Sequence, residues 1–328
     1  MKISIIIPVY NSSLTLKECL AAVLDSNFKN FEIIIVSDNS PDDSVEIARQ
    51  YKCKIIELPK NMGPAFARNR GAQVSAGDIL LFIDSDVIIK NDALNYLNDM
   101  FLQNEIEAIQ GIYSHKPTYE SIATQYQMSY NCYYIWPKNK KYASTLSTCC
   151  LAIRKKIFFN LEGFNTNIKR ASAEDEEFGY LLIDKGYKIL ISRELNVEHR
   201  VNYSIIQFIK RNFKMYIETM KSYLRNKTYI RKTQQTNYSK VLMGIPVIGS
   251  IMMVLFLIVY YPNNINWYVF LILNITFLLL NLGFINFVRQ TKGLVKALLA
   301  ILICYLDVFL MLLGVIYGSF NYFFGRKY

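Results

Sequence analysis

The first two hundred residues alternate short apolar runs with segments of helical character. The runs Ile3–Val9, 31–36 and Ile79–Ile83 have the length and composition of buried parallel strands. The segments 14–24, 44–51 and 64–75 lie between these runs and predict helices. This alternation predicts an α/β fold with helices on both faces of a sheet.

The C-terminal part shows a different pattern, because residues 241 to 288 contain no Asp, Glu, Lys or Arg. We predict three transmembrane helices at about 241–261, 265–288 and 297–319, each long enough to cross the hydrocarbon core. The alternative of a re-entrant third segment also remains, because a third crossing places the basic residues Arg326 and Lys327 outside the cell, against the positive-inside rule. Asp307 interrupts the third segment. It indicates either a functional site or hydrogen bonding between helices.

A basic segment joins the two parts. Residues 210–240 hold nine basic side chains and one acidic side chain, and 203–224 carries apolar positions at helical spacing. This pattern predicts an amphipathic helix at the membrane interface, or alternatively a helix docked on the folded domain. We therefore divide the chain into an α/β domain (1–202), an interfacial segment (203–240) and a transmembrane region (241–328).

Composition narrows the class of protein. The chain has 328 residues, of which 52% are hydrophobic and 19% charged, with a formal charge of +11. Residues 1–209 are nearly neutral, so the basic excess belongs to the junction and argues against binding to nucleic acid. Six cysteines without a C-x-x-C pair suit a reducing compartment. The basic loop 289–296 places the α/β domain on the cytoplasmic side of the cell membrane by the positive-inside rule.

Polar side chains follow each predicted strand. Tyr10 and Asn11 follow the first, Asp38 the second, and Asp84 and Asp86 the third. Ligands of α/β sheets bind beyond the carboxyl ends of the strands, although turn residues also cap helices. Two carboxylates in Asp84-Ser85-Asp86 favour a divalent cation, Mg²⁺ or Mn²⁺, with a diphosphate as the natural guest.

Five motifs, taken in their order along the chain, are together typical of one protein family. They are SIIIPVYN, SDNSPDDS, NMGPAFARNRGAQVSAGDILLFIDSD, LEGF and AEDEEFGYLLIDKGYKI, and they cover about residues 2–200. This half resembles the family 2 glycosyltransferases, whose GT-A fold is a Rossmann-like nucleotide-sugar-binding domain. The resemblance implies inverting transfer of a sugar from a nucleotide sugar, with UDP favoured. It also implies that the following residues surround the nucleotide and diphosphate: Pro8, Tyr10, Asn11, Asp38, Arg68, Asp84, Ser85 and Asp86.

The resemblance also suggests the catalytic groups. Residues 174–177 are all acidic and open a predicted helix, where the helix dipole alone favours carboxylates. By resemblance, Asp175 is the base that takes the proton of the attacking hydroxyl, and Glu174 orients the acceptor. The resemblance also implies that Asp84 and Asp86 are the carboxylates that bind the metal and the ribose and diphosphate. His199 either completes the metal shell or is an ordinary structural histidine.

The tract 118–142 is rich in tyrosine and lies where the family varies to suit its acceptors. Tyr126, Tyr133, Tyr134 and Trp136 either stack on sugar or lipid, or pack in the core. Both interpretations stay open.

These expectations describe a membrane-anchored, cytoplasm-facing, metal-dependent transferase of polysaccharide or glycolipid synthesis. It moves one sugar to a lipid-linked saccharide or polyprenyl acceptor, and membrane lipids are its other partners. Two alternatives remain. A processive polysaccharide synthase is disfavoured because the Q-x-x-R-W motif is replaced by QFIKRN at 207–212. A non-catalytic scaffold would be expected to lack one of the carboxylate motifs, and all are present.

Overall fold

The structure is a computed structural model. It describes residues 1–103, 105–114, 119–135, 141–143, 146–168, 173–225, 247–248 and 264–325. The first predicted membrane span lies outside these residues except for 247–248, and Trp136 lies outside them as well.

Eight strands form one sheet in the order β3-β2-β1-β4-β7-β6-β8-β5. The strands are β1 (Ile3–Val9), β2 (Phe31–Ser37), β3 (Lys54–Glu57), β4 (Ile79–Ile83), β5 (Val87–Ile88), β6 (Ala108–Tyr113), β7 (Cys150–Arg154) and β8 (Ile189–His199). The half made of β1 to β4 is parallel, whereas β7 runs antiparallel between β4 and β6. The predicted α/β class is confirmed, and the sheet is mixed because β7 and the edge strand β5 run antiparallel to their neighbours.

Ten α-helices are described. They are α1 (Leu16–Leu24), α2 (Ser44–Ala48), α3 (Pro64–Gln73), α4 (Ala93–Gln103), α5 (Ile122–Tyr130), α6 (Lys155–Asn160), α7 (Glu174–Asp184), α8 (Ile205–Arg225), α9 (Asn264–Lys292) and α10 (Leu294–Phe324). A π-helical turn, Asn131–Ile135, continues α5. The predicted helices at 14–24, 44–51 and 64–75 correspond to α1, α2 and α3, each shorter by two or three residues at one end.

The core lies on both faces of the sheet. On one face Ile5 and Ile7 of β1 pack with α1 and α4, and on the other Ile6 packs with α3, α6 and α7. A Cβ atom on Gly71 of α3 would lie 2.5 Å from Cγ2 of Ile6, so this glycine allows the helix to approach the sheet. The close approach packs α3 directly against β1.

The C-terminal helices are long and apolar. By length and composition, Tyr268–Lys292 and Leu294–Phe324 can each cross a membrane. The helix α10 runs without a break through Asp307. At 1.5 Å per residue its 31 residues span about 46 Å, more than the hydrocarbon core of a bilayer. Many side chains on α9 and α10 are exposed and apolar, among them Leu271, Leu279, Leu298, Leu302 and Ile316.

The amphipathic helix α8 packs against α10. A Cβ atom on Gly314 would lie 2.5 Å from Cβ of Tyr216, and one on Gly318 would lie 2.8 Å from the carbonyl oxygen of Ile217. These two glycines, four residues apart, therefore allow close contact between the helices. The apolar face of α8 is thus covered by α10 and not by the sheet. Its Lys221 is buried and pairs with Glu218, whereas Lys210 and Lys214 are exposed.

Asp307 joins three helices through hydrogen bonds. Its Oδ1 accepts from Tyr216 Oη at 2.7 Å and from Asn212 Nδ2 at 2.8 Å, and its Oδ2 accepts from Tyr126 Oη at 3.0 Å. The side chain is 1% exposed. These contacts support the interpretation of Asp307 as a hydrogen-bonding residue between helices, here linking α5, α8 and α10.

Candidate active site

The sequence-predicted side chains meet at one edge of the sheet, where β1, β2 and β4 end. Asn11 and Asn39 have φ angles of 52° and 56°. Asn tolerates this left-handed conformation better than other non-glycine residues, so both turns carry Asn where the chain leaves a strand. Tyr10 is 49% exposed at the same edge, which leaves its ring available for a ligand.

Asp38 is buried and fixes the turn that precedes α3. Its two carboxylate oxygens accept from the backbone nitrogens of Met62 and Gly63, at 2.6 and 2.8 Å. The residue predicted to contact the nucleotide thus also holds the backbone that leads to Arg68.

Arg68 connects two carboxylates that are far apart in the sequence. Its Nη1 lies 2.8 Å from Oε1 of Glu174, and its Nη2 lies 2.9 Å from Oδ1 of Asp84. The Arg68 and Glu174 side chains are 5% and 3% exposed, so their ion pair is shielded from water, whereas Asp84 is 32% exposed. Burial raises the pKa of the Asp84 carboxyl, and the neighbouring Asp86 adds to the effect, whereas Arg68 opposes it.

Asp175 lies at the start of α7 beside this pair. Its Oδ2 accepts from the backbone nitrogen of Thr148 at 3.2 Å, and its Oδ1 accepts from the backbone nitrogen of Glu176 at 2.9 Å. The pKa of the Asp175 carboxyl is raised to about 7, chiefly by burial and then by the charge of Glu174, while Arg68 partly offsets the rise. The carboxyl is therefore poised to change protonation near neutral pH.

Asp86 and His199 form a second polar pair. The Nε2 atom of His199 lies 3.2 Å from Oδ2 of Asp86, and the ring of Tyr113 stacks on the imidazole at 4.4 Å. Oδ1 of Asp86 and Nδ1 of His199 are buried, and neither has a hydrogen-bond partner among the described residues. Ser85, between the two aspartates, shares a 2.7 Å hydrogen bond with Ser12.

A divalent cation fits this pair. Carboxylate oxygen and imidazole nitrogen are common metal ligands, and an unpartnered buried oxygen needs a cation or a donor. Within the described part of the chain, no group of three His, Cys, Asp or Glu side chains is arranged to hold a metal. A cation at Asp86 and His199 would therefore need further ligands from substrate or water.

Sequence reasoning missed several of these contacts. Tyr113 on β6 and the backbone of Thr148 had no motif to mark them, and only the fold brings them to the site. Three tyrosines of the acceptor tract, Tyr126, Tyr133 and Tyr134, pack internally. Tyr126 and Tyr133 contact the ring of Phe284 on α9. Tyr134 also contacts that ring, and it donates to Asn281 at 3.4 Å. These contacts favour the packing interpretation for that part of the tract.

The mixed α/β sheet has the GT-A fold. The family model described as glycosyl transferase family 2 matches residues 4–161. The chain therefore contains a glycosyltransferase family 2 domain, as the motifs had indicated.

The relatives agree with this assignment. Over 117 residues the chain is 38% identical to an uncharacterized glycosyltransferase of Haemophilus influenzae, covering 34% of this chain and 47% of that protein. It is 42% identical over 102 residues to the poly(ribitol-phosphate) beta-glucosyltransferase of Bacillus spizizenii, covering 29% of this chain and 16% of that protein. The matches thus span less than half the length of these relatives.

Solved structures show the same fold. The mannosyltransferase PcManGT of Pyrobaculum calidifontis, in complex with GDP-Man and Mn²⁺, is similar with a TM-score of 0.58 and 11% identity, over 98% of this chain and 87% of that chain. Residues 1–349 of Staphylococcus aureus TarS are similar with a TM-score of 0.54 and 17% identity, over 99% of this chain and 92% of that chain. Both likenesses concern the fold.

Proposed function

We propose that this protein transfers one sugar from a nucleotide sugar to an acceptor hydroxyl, with inversion, during assembly of a cell-surface polysaccharide or glycolipid. The family 2 domain supports the reaction class. The names of two relatives support the product class: the poly(ribitol-phosphate) beta-glucosyltransferase, and the poly-beta-1,6-N-acetyl-D-glucosamine synthase of Staphylococcus epidermidis, which is 32% identical over 114 residues.

The position and pKa of Asp175 are the observation that carries the proposal. Two backbone N–H groups orient its carboxylate, and its pKa of about 7 suits a general base at neutral pH. The carboxylate takes the proton of the acceptor hydroxyl while the oxygen attacks the anomeric carbon. The bond to the diphosphate breaks on the opposite face, and this gives inversion.

Glu174 and Arg68 position this base. Because Glu174 is buried and paired with Arg68, it fixes the first turn of α7 relative to β4. Arg68 also offsets the crowding of negative charge among Asp84, Glu174 and Asp175. An acceptor hydroxyl bound next to Glu174 would therefore meet a preorganised carboxylate on Asp175.

Asp86 and His199 are the residues that would hold Mg²⁺ or Mn²⁺, with Asp84 beside them. The orphaned oxygen of Asp86 and the excess of carboxylates at the site support this assignment. A bound cation would offset the negative charge that develops on the departing nucleotide. PcManGT was solved with Mn²⁺, which supports a metal requirement for this fold.

The nucleotide site is proposed at the edge formed by Pro8, Tyr10, Asn11, Asp38 and Ser85. Structures of TarS contain UDP and UDP-GlcNAc, which supports UDP as the carrier. Tyr10 is the exposed aromatic side chain of this group and is placed to stack on the base.

The acceptor is proposed to be lipid-linked, at the cytoplasmic face of the cell membrane. The support is the pair of apolar helices α9 and α10, together with the basic segment that precedes them. The chain is then a multi-pass protein whose transferase domain lies close to the bilayer surface. A polyprenyl diphosphate-linked saccharide, a polyprenyl phosphate and a glycolipid are the candidate acceptors, in this order.

A transfer assay tests the proposal. Membranes with the full chain are incubated with radiolabelled nucleotide sugars, and label is counted in lipid extract and in water-soluble product, with and without chelator. The variants are Asp175→Asn and Asp86→Ala, with Asp184→Asn at the other end of α7 as the matched control. We expect label in lipid with the wild type and the control only, and only with divalent metal. Equal transfer by Asp175→Asn would exclude this residue as the base, and efficient use of a soluble acceptor would exclude the lipid assignment.

A further inference from the structure

A small cleft lies away from the active site, where α5 meets the end of α9 and the start of α10. Its volume is about 150 Å³, and its lining includes Gln125, Tyr126, Val288, Lys292, Lys296 and Leu299. None of the proposed catalytic, nucleotide or metal residues lines it. A water needs about 10–15 Å³ of such space, so the cleft has room for a group the size of a phosphate.

Two lysines give the cleft a positive charge. The Nζ atom of Lys292 is buried, and it has no hydrogen-bond partner among the described residues. The Oε1 atom of Gln125 is also buried without such a partner. Lys296 forms a 2.8 Å ion pair with Glu120, whose side chain is 87% exposed. A buried ammonium without a partner is costly, and an anion in the cleft would remove that cost.

The surroundings of the cleft indicate a lipid as the source of the anion. The cleft lies at the ends of the two apolar helices, and Val295 and Leu298 beside it are 72% and 55% exposed. A lipid that places its phosphate between Lys292 and Lys296 can lay its chains along this exposed apolar surface. We propose that this cleft binds the phosphate head group of an anionic membrane lipid.

The Glu120 carboxylate competes with a bound phosphate for Lys296. It pairs with Lys296 and accepts a 2.7 Å hydrogen bond from Nε2 of Gln125, yet it is itself exposed to solvent. A surface ion pair of this kind contributes little free energy, so a phosphate can displace it. The site therefore predicts opposite effects for the removal of Lys292 and for the removal of the Glu120 charge.

This lipid site rests, as the proposed function does, on the membrane location of α9 and α10, but it does not depend on sugar transfer. A binding assay without a nucleotide sugar therefore tests it separately. The purified full chain in detergent is titrated with short-chain phosphatidic acid, short-chain phosphatidylcholine and inorganic phosphate, and binding is followed by calorimetry. Arg289→Ala is the matched control for Lys292→Ala, because Arg289 is exposed in the same turn and does not line the cleft.

We expect phosphatidic acid to bind more tightly than the other two ligands. Lys292→Ala should weaken its binding about tenfold or more, as expected for loss of a hydrogen bond to a charged group. Arg289→Ala should leave it unchanged, and Glu120→Gln should strengthen it. Equal losses for Lys292→Ala and Arg289→Ala would overturn the site. Inorganic phosphate binding as tightly as the lipid would overturn the lipid assignment.

Glu120→Gln keeps the proposal testable if Lys292→Ala does not fold, because this change removes only an exposed charge. Unchanged or weaker binding of phosphatidic acid by Glu120→Gln would overturn the arrangement described here.

Discussion

The substitution Arg68→Met removes the cation that holds the acidic site together. Methionine retains much of the apolar stem of arginine but cannot pair with Asp84 or Glu174, which lie 2.9 and 2.8 Å from the guanidinium. Both ion pairs are lost together, because one side chain makes them. The buried carboxylate of Glu174 and the partly exposed carboxylate of Asp84 then remain without their cation.

The expected loss of stability follows from this burial. Removal of one partner of a buried ion pair typically costs about 3–5 kcal/mol. In a domain of about 200 residues each kcal/mol lowers Tm by about 2–4 °C, so we expect a decrease of about 6–20 °C. The charge of Arg68 also lowers the pKa of Asp175. Without it the pKa of Asp175 rises above about 7, and this proposed base is charged only at more alkaline pH.

Thermal unfolding and the pH dependence of sugar transfer measure the two effects. The matched control is Arg70→Met, because Arg70 lies on the same helix and is exposed. Its hydrogen bond to Gln73 joins two residues of that helix. We expect the control to behave as the wild type in both measurements. Arg68→Met unfolding within about 2 °C of the wild type, with an unshifted pH profile, would refute the assignment of Arg68 as the link in the site.

Three further predictions concern the base and the helix contacts. Asp175→Asn should abolish transfer, and it should raise Tm at pH 8 but not at pH 4. The carboxyl pKa is about 7 in the folded state and 3.8 in the unfolded state, so its charge destabilises the fold only as pH rises through this range. An equal change in Tm at both pH values would contradict the burial argument. Asp307→Asn should lower the free energy of unfolding in detergent by about 1–3 kcal/mol, because three donors converge on the carboxylate and the amide nitrogen of Asn cannot accept a hydrogen bond. Unfolding of this variant at the wild-type temperature would contradict the prediction. Gly314→Ala should separate α8 from α10, because the added Cβ atom would lie 2.5 Å from Cβ of Tyr216. Limited proteolysis of α8 should therefore be faster in this variant. Leu313→Ala, at an exposed position, is the control and should leave the rate of proteolysis unchanged.

Local patterns in the sequence predicted three of the eight strands, β1, β2 and β4, together with the helices α1, α2, α3 and α7. The bounds of β1 and β4 agree with the predicted runs, and α7 begins at Glu174 as expected. Strand and helix positions follow from local hydrophobic periodicity and from the residues at their ends, and these properties are present in any short window of sequence. The motifs also placed the polar residues at the correct edge of the sheet, because parallel strands end on the same side.

The C-terminal helices show where this reasoning stops. Two of the three predicted spans correspond to α9 and α10, since long apolar stretches are visible in composition alone. Composition did not reveal that α8 packs against α10 through Gly314 and Gly318. Glycine has no side chain to contribute to a hydrophobic pattern, so its role becomes apparent only when the neighbouring helix is in place.

The sequence by itself thus determined the class of fold, the alternation of its first strands and helices, and the residue types available for chemistry. The remaining strands, including the antiparallel β7, became apparent only in the structure. The tertiary structure alone decided which of those residues meet. Arg68 and Glu174 are 106 positions apart, Asp86 and His199 are 113 apart, and Tyr126 and Asp307 are 181 apart. Such contacts depend on how strands and helices pack across the whole molecule, and their free energies arise from burial and pairing that no local segment contains.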